Sequence, residues 1–196
     1  MANNNIIDYK QGALIYMNPA IEQDIVQGFS RSYGLELMTK KNAGFLTGWV
    51  SYTLSRSQVQ VNGAFADETI NNGSFYPAYS HRLHDLSVAA NYKITRRWTL
   101  GANFIFSSGR PATYPEIKYS YNNVEVVNFS ERNKYTLPAN HRLDFSVTYE
   151  GFLNVTKKVH PSFTFSVYNV YGHKNIYSVY YKSSTPSSAN NYQKYG

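Results

Sequence analysis

The sequence predicts an all-β fold, an antiparallel up-and-down meander of about 6–8 long strands that forms part of a transmembrane β-barrel. Three observations support this prediction. Apolar and small polar residues alternate with a period of two in several segments, which is the pattern of strands. The segments run to about a dozen residues, longer than ordinary soluble strands and close to what a tilted strand needs to cross a bilayer. The connections alternate between short and long, as they do in outer-membrane barrels.

The composition suits a barrel with one lipid-facing and one wet face. Aromatic residues make up 16% of the 196 residues, charged residues also only 16%, and the mean hydropathy is −0.46. No run of 18 apolar residues exists, so the sequence excludes a transmembrane helix. The absence of cysteine excludes disulfides and thiol chemistry. The net charge of +7 comes from cations spread along the chain with pairs at turns, which does not favour nucleic acid as a partner.

The two ends of the chain lack the alternating pattern. Residues 1–27 are predicted to be an irregular lead-in, with a helical turn in residues 19–26. Asparagines and Asp8 interrupt any signal-peptide stretch, so we expect the chain of an exported protein to begin internally. Residues 183–196 are rich in Ser and Asn and are predicted to be a flexible tail.

The barrel portion is predicted for residues 28–182 and opens with a hairpin. Alternation runs over residues 30–41 and again over residues 46–55. The short turn between them contains Gly44, at a place where a positive φ is needed. Residues 58–80 are rich in Asn, Gly and Asp, and they are predicted to be a long loop.

The second predicted hairpin pairs residues 85–94 with residues 98–107 across a tight basic turn. Its even-numbered positions are mostly large and apolar, whereas its odd-numbered positions are mostly small or polar. A second long loop follows over residues 111–138, and it contains an inner hairpin joined at Asn122 and Asn123.

Two more alternating strands are predicted for residues 141–149 and 163–168, on either side of a short link. Residues 176–181 continue or re-form the last strand beyond Gly172. All the short connections therefore fall at one end of the sheet and all the long ones at the other. The polar positions hold Ser, Thr, Gly, Asn and Ala rather than Lys and Glu, which favours a lumen over the outer face of a soluble barrel.

The alternation predicts which side chains face lipid, and it places the protein in the outer membrane of a Gram-negative cell with membrane lipid as a partner. The predicted lipid-facing residues are Val50, Tyr52, Leu86, Val88, Leu100, Phe104, Phe106, Phe145 and Val147.

Short motifs occur in a fixed order through the barrel portion. They are Gly34-Leu35-Glu36-Leu37, Leu46 to Ser57, His84-Asp85-Leu86-Ser87, Asn91-Tyr92, Arg97-Trp98, Ser108-Gly109-Arg110-Pro111, Ser130-Glu131-Arg132-Asn133, His141-Arg142-Leu143-Asp144 and Val167-Tyr168-Asn169-Val170-Tyr171. In order and spacing they resemble the C-terminal β-barrel portion of TonB-dependent outer-membrane receptors. This family imports scarce nutrients such as siderophores, cobalamin, glycans or peptides, and the motifs do not choose among these ligands.

The resemblance also implies partners. In a full-length protein of this family, a plug domain and a TonB-type energy-coupling protein accompany the barrel, and some members have a surface lipoprotein partner. The present sequence has neither plug nor coupling box, and six or seven strands are predicted where the family has 22. It also lacks a final strand that ends in an aromatic residue. We therefore expect a barrel fragment without a plug, which does not perform energised transport by itself.

Residues in the predicted extracellular loops are candidates for ligand contact, because tyrosine offers amphipathic surface at a low cost in conformational entropy. The candidates are Tyr79, Tyr114, Tyr119, Tyr121 and Arg132. Ordinary loop packing or contact with lipopolysaccharide explains the same residues equally well.

No catalytic residue, metal site or cofactor is predicted. His81, His84 and Asp85, or His141 and Asp144, offer metal-ligand chemistry but lack a third ligand at a defined spacing. We expect them to be strand-end residues, with Arg and Asp paired across neighbouring strands on the lumen side. A salt bridge between neighbouring loop residues 131 and 132 is also expected. No strained nucleophile turn or phosphate-binding loop is present.

Two other functions remain open on the sequence alone. A small stand-alone outer-membrane barrel, acting as an adhesin or structural protein, predicts a signal peptide and about eight closed strands. A soluble ligand-binding β-domain predicts extraction without detergent.

Overall fold

The computed structural model describes residues 2–10, 19–121, 124–151, 159–176, 179–183 and 192–195. Within these ranges the strands are β1 (Ala2–Tyr9), β2 (Ile25–Lys41), β3 (Leu46–Gln60), β4 (Tyr76–Pro77), β5 (His84–Lys93), β6 (Trp98–Ser107), β7 (Pro111–Ala112), β8 (Pro115–Tyr121), β9 (Val124–Phe129), β10 (Tyr135–Thr136), β11 (Asn140–Glu150), β12 (Ser162–Val167), β13 (Tyr180–Ser183) and β14 (Tyr192–Tyr195). Three short 3-10 helices cover Ile21–Asp24, Ala66–Glu68 and Asn71–Gly73. None of the helices in the described ranges is long and apolar enough to span a membrane.

A single antiparallel sheet dominates the fold. Its strand order is β1-β2-β3-β5-β6-β11-β12, with β4 paired to one end of β3. Strands that follow one another in the meander are therefore neighbours in space, which confirms the predicted all-β, up-and-down antiparallel architecture. The sheet does not close within the described part of the chain, and β1 and β12 form its two edges. The pairs β7–β10, β8–β9 and β13–β14 stand apart from it.

The predicted lead-in and tail are partly wrong. Residues 2–9 form β1, which pairs with the first part of β2, and β2 itself begins at Ile25 rather than after residue 27. Residues 2–9 are too polar to show the alternation that marks a strand. They nevertheless pair with β2, because the hydrogen bonds of the ladder join backbone groups and do not depend on the side chains. In the predicted tail, residues 192–195 form β14 against β13. Residues 184–191 and 196 lie outside the described part of the chain.

The loops contain more structure than their composition indicates. The strand β3 extends to Gln60, and residues 61–77 include two 3-10 turns and β4. The hairpin predicted within the second long loop is confirmed as β8 and β9, although Asn122 and Asn123 are outside the described residues. The first short turn has Gly44 at φ +99, as predicted for that position.

The register is continuous through all five strand pairs from β2 to β12. Because side chains alternate between faces, a continuous register assigns every strand residue to one of two faces. One cross-strand row consists of Thr39, Val50, Val88, Phe104 and Leu143. A row on the opposite face consists of Thr47, Asn91, Gly101, Ser146 and Ser166. We call these the apolar face and the polar face, and all nine predicted lipid-facing residues share the apolar one.

The apolar band runs obliquely across the sheet. On β3 its apolar side extends from Leu46 to Leu54, so its midpoint is Val50. On β12 the midpoint is Phe165, which lies in the cross-strand row of Leu46. The midpoint therefore moves four residues over four strand steps. With a rise of roughly 3.3 Å per residue and roughly 4.8 Å between strands, the band makes an angle of about 35° with the rows, within the range of strand tilts in barrels.

Buried apolar side chains in the described part of the chain are confined to the long-loop end. They are Val26, Val59, Val61, Ile70 and Tyr76. The three valines continue the polar face beyond the rows described above, where residues 61–76 fold over them. The apolar face itself has no such cover among the described residues: Leu35 is 54% exposed and Phe165 is 71% exposed.

After β12 the chain leaves the sheet and forms a strap, residues 168–176, along the edge of β11. The strap turns at Asn169, which has a φ of 53°. The Val170 N–H donates to the Leu143 carbonyl at 2.8 Å. The His141 N–H donates to the side-chain oxygen of Asn175 at 2.9 Å. The strap thereby satisfies part of the β11 edge without a strand. Residues 177 and 178 of the strand predicted for residues 176–181 lie outside the described part of the chain, and the next described strand is β13, residues 180–183.

Candidate functional site

A cleft of about 700 Å³ lies at the long-loop end of the sheet. It lies between β1, β4 and the two ends of the second long loop. Its polar and aromatic lining residues are Asp8, Tyr9, Tyr76, Tyr79, Arg110, Thr113, Tyr114, Arg132 and Asn133. A cleft of this size, with aromatic walls and a few polar groups, is typical of small-molecule sites.

The two ends of the second long loop meet at Gly109. An added Cβ at Gly109 would lie 1.5 Å from the carbonyl oxygen of Leu137, so only glycine permits this approach. The Leu137 N–H in turn donates to the Arg110 carbonyl at 2.8 Å. Strands β7 and β10 pair immediately beyond this junction. The junction holds Arg110 and Tyr114 at the mouth of the cleft.

Arg132 joins three segments that are far apart in sequence. Its guanidinium donates to the Asp8 carboxylate at 3.2 Å and to the Tyr9 carbonyl at 2.8 Å. The Arg132 backbone exchanges two hydrogen bonds with the Asn71 side chain, at 2.7 and 2.9 Å. Arg132 therefore fastens β1 and the first long loop to the second long loop. The expected salt bridge between residues 131 and 132 is wrong, because Asp8 takes the place of Glu131.

The floor of the cleft contains a buried phenol. Tyr76 is 3% exposed, and its hydroxyl donates to the second carboxylate oxygen of Asp8 at 2.8 Å. Burial raises the pKa of Tyr76, and the hydrogen bond to Asp8 raises it further. Since Asp8 receives hydrogen bonds from both Arg132 and Tyr76, its negative charge is compensated within the protein.

Two tyrosines form the walls of the cleft. Tyr79 is 67% exposed, and the Arg110 guanidinium lies 5.4 Å from its ring centroid. The ring of Tyr114 stacks on Tyr135, with centroids 4.9 Å apart and planes 11° from parallel. Both walls thus present aromatic surface whose orientation is set by a second side chain.

The structure separates the five predicted ligand-contact residues into three groups. Tyr79 and Tyr114 line the cleft walls, and Arg132 lines the cleft but serves to hold β1. Tyr119 lies outside the cleft, 52% exposed on the β8–β9 hairpin, and the side chain of Tyr121 is outside the described part of the chain. Three other residues that line the cleft were not predicted as site residues: Asp8, Tyr76 and Arg110. Of these, Arg110 belongs to a sequence motif, Ser108-Gly109-Arg110-Pro111.

The histidines considered as metal ligands point to different partners. His81 Nδ1 accepts from the Ser57 N–H at 3.2 Å, and His84 Nδ1 lies 2.8 Å from the Tyr52 hydroxyl. Burial lowers the pKa of His81, and the charge of Arg56 lowers it further, so the neutral acceptor form is favoured. His141 Nδ1 lies 2.7 Å from the Tyr171 hydroxyl. In the described ranges, no three His, Asp or Glu side chains are grouped to hold a metal ion.

The predicted pairing of Arg and Asp across neighbouring strands is wrong. Arg82 pairs with Asp85, and Arg142 pairs with Asp144, each along one segment of chain. The cross-strand partner of Asp85 is instead Ser107, whose hydroxyl donates to it at 2.6 Å. Residues two apart on a strand share a face, which allows the pairing along β11 without a neighbouring strand.

Searches against protein-family models, curated proteins and solved structures find no match to this chain.

We predict that replacing Arg132 with Gln detaches β1 from the loops. The variant loses the ion pair to Asp8 and leaves that carboxylate short of a partner, at a cost of about 1–3 kcal/mol. Hydrogen exchange at the Lys10 amide, which donates to the Asp24 carbonyl at the end of the β1–β2 ladder, should accelerate, while amides in β5 and β6 keep their protection.

The matched control is Lys134→Gln, which breaks an exposed ion pair to Glu116 on the same loop. An exposed pair contributes little, so Lys10 exchange should not change. Equal effects of the two variants would contradict the role assigned to Arg132.

Proposed function

We propose that this chain forms part of the wall of a transmembrane β-barrel in a Gram-negative outer membrane, within a TonB-dependent receptor that imports a scarce nutrient. The observation that carries the membrane assignment is the continuous, uncovered and oblique apolar face from β2 to β12. Soluble monomers rarely expose apolar surface over so many adjacent strands. A lipid environment covers such a face without a second protein layer.

The dimensions of the apolar face support this proposal. On β6 its positions run from Trp98 to Phe106, a distance of eight residue-to-residue steps or about 26 Å along the strand. At a tilt of about 35° this corresponds to about 22 Å along the membrane normal, close to the apolar band of barrels, about 25 Å. In the rows between Trp98 and Phe106, Lys41 is the charged side chain of the apolar face. Because the band is oblique, Lys41 lies beyond the apolar run of β2, toward the short-turn end.

The polar face supports a wet interior. Most positions in its rows hold Ser, Thr, Asn, Gly or Ala, although Met38, Trp49 and Ile105 also lie on it. It also carries the pair Arg142–Asp144 and the contact between Asp85 and Ser107. Charged pairs would be costly in contact with lipid. Opposite preferences on two faces of one sheet are the pattern of a barrel wall between lipid and lumen.

The receptor assignment is supported by the order of motifs that resembles TonB-dependent receptors and by the position of the cleft. The cleft lies at the long-loop end, which faces the exterior in outer-membrane barrels. Tyr79 and Tyr114 would contact a ligand there. As the resemblance implies, a plug domain and a TonB-type energy-coupling protein would complete the machinery in the full-length protein, with a surface lipoprotein as a further partner in some members.

A pair of neighbouring substitutions tests the membrane assignment. Phe104→Lys puts a charge in the middle of the apolar face and should destabilise insertion into phosphatidylcholine vesicles by about 2–4 kcal/mol, measured by urea titration of folding. Asn103→Lys is the matched control, since its ammonium group would lie on the polar face near Asp144. It should insert like the wild type, and equal losses for both variants would contradict the assignment.

A second pair tests the receptor assignment in the full-length protein. The double variant Tyr79→Ala and Tyr114→Ala removes both aromatic walls and should lower nutrient uptake at least about tenfold, as expected for central aromatic contacts. Tyr119→Ala removes a tyrosine outside the cleft and should leave uptake unchanged. Unchanged uptake in the double variant would exclude the cleft as a ligand site.

A further inference from the structure

The fold gathers cations that the sequence spreads over more than fifty residues. Lys41 ends β2 on the apolar face, and Arg96 and Arg97 form the turn before β6. All three are exposed and lie at the short-turn end of the sheet, whereas Lys40 and Lys93 at the same end lie on the polar face. We call Lys41, Arg96 and Arg97 the basic rim. Lys157 and Lys158, in the third short connection, are outside the described residues.

The charges of the basic rim are not neutralised within the described chain. None of its three residues forms an ion pair with another described residue, and Glu150 is the carboxylate that the described chain places at this end. Elsewhere in the described chain, ion pairs with carboxylates are formed by Lys10, Arg82, Arg132, Lys134 and Arg142. The rim is therefore a site of local positive potential rather than a balanced polar surface.

Aromatic residues lie beside the basic rim at the short-turn end of the apolar face. The rings of Trp98 and Tyr149 are in contact, with centroids 5.0 Å apart. Phe45 is 74% exposed and Phe163 is 68% exposed at the same end. Arg97 donates to the Tyr149 hydroxyl at 3.3 Å. Aromatic rings favour the interfacial region of a bilayer, and cations just beyond them reach the level of the phosphates.

We propose that the basic rim binds the phosphate groups of anionic phospholipids in the leaflet next to the short turns. This inference rests on the proposed membrane function and adds a specific lipid partner at one end of the barrel. Apolar, aromatic and cationic side chains meet at this end of the sheet, as acyl chains, interface and phosphates do in a leaflet. A membrane also covers the apolar residues beside the rim, which a nucleic acid would leave exposed.

The test uses the whole chain folded into vesicles of phosphatidylcholine containing 30% phosphatidylglycerol. Spin-labelled forms of the two lipids report which one is preferred at the protein surface. We expect the wild type to prefer phosphatidylglycerol at least about threefold, and the preference to fall in 0.5 M NaCl because salt screens exposed charges. The rim variant, K41Q/R96Q/R97Q, should show no preference.

The control variant neutralises three cations away from the rim, K118Q/K134Q/K174Q, and has the same net charge as the rim variant. It should keep the wild-type preference, and a loss equal to that of the rim variant would overturn the proposal in favour of a net-charge effect. If the rim variant does not fold, the salt titration of the wild type tests the proposal instead. A preference for phosphatidylglycerol that 0.5 M NaCl leaves unchanged would overturn it.

Two further outcomes separate this inference from the proposed function. Insertion of the wild type without preference for phosphatidylglycerol overturns the lipid site and leaves the barrel assignment standing. Failure to insert into any vesicle overturns both. Rim-dependent binding of duplex DNA by detergent-solubilised protein, without a lipid preference, would assign the rim to a different polyanion and overturn the proposal.

Discussion

The structure depends on one constraint, the continuous register of five strand pairs that keeps most of the large apolar side chains from β2 to β12 on the same face. A slip of one residue in any pair would move that strand's apolar side chains to the polar face. The register is therefore specified by the environment of the two faces as well as by the ladder hydrogen bonds. The apolar face has no second protein layer among the described residues, and in the proposed function lipid covers it.

The other features are arranged around that face. The buried residues around Ile70 lie at the long-loop end, where residues 61–76 fold over the continuation of the polar face. Arg132 and Asn71 connect the two long loops there, and Gly109 brings the ends of the second loop together. The cleft is thus held by backbone contacts and partly buried polar contacts beyond the apolar band. In the proposed function, ligand contact and membrane contact therefore involve separate parts of the sheet.

The sequence predicts the long strands well because their signal is local. Alternation in residues 46–55 and 98–107 can be read from neighbouring side chains, and so can the turn at Gly44. The contacts that form the cleft are not local: Arg132 and Asp8 are 124 residues apart, and β1 carries no alternation that would mark it as a strand. Tyr79 and Tyr114 were found because tyrosine is a conspicuous residue type. Arg110 and the basic rim become visible only when the fold brings distant turns together.

The central claim is that the apolar face contacts lipid. The absence of cysteine allows a direct test, in which single cysteines at each position from 99 to 106 on β6 carry a fluorophore in vesicles with brominated acyl chains. We predict that bromine quenching alternates with a period of two, strong at Leu100, Ala102, Phe104 and Phe106 and weak at the positions between them. Quenching that is uniform along the strand, or strongest at the odd positions, would contradict a lipid-facing apolar surface.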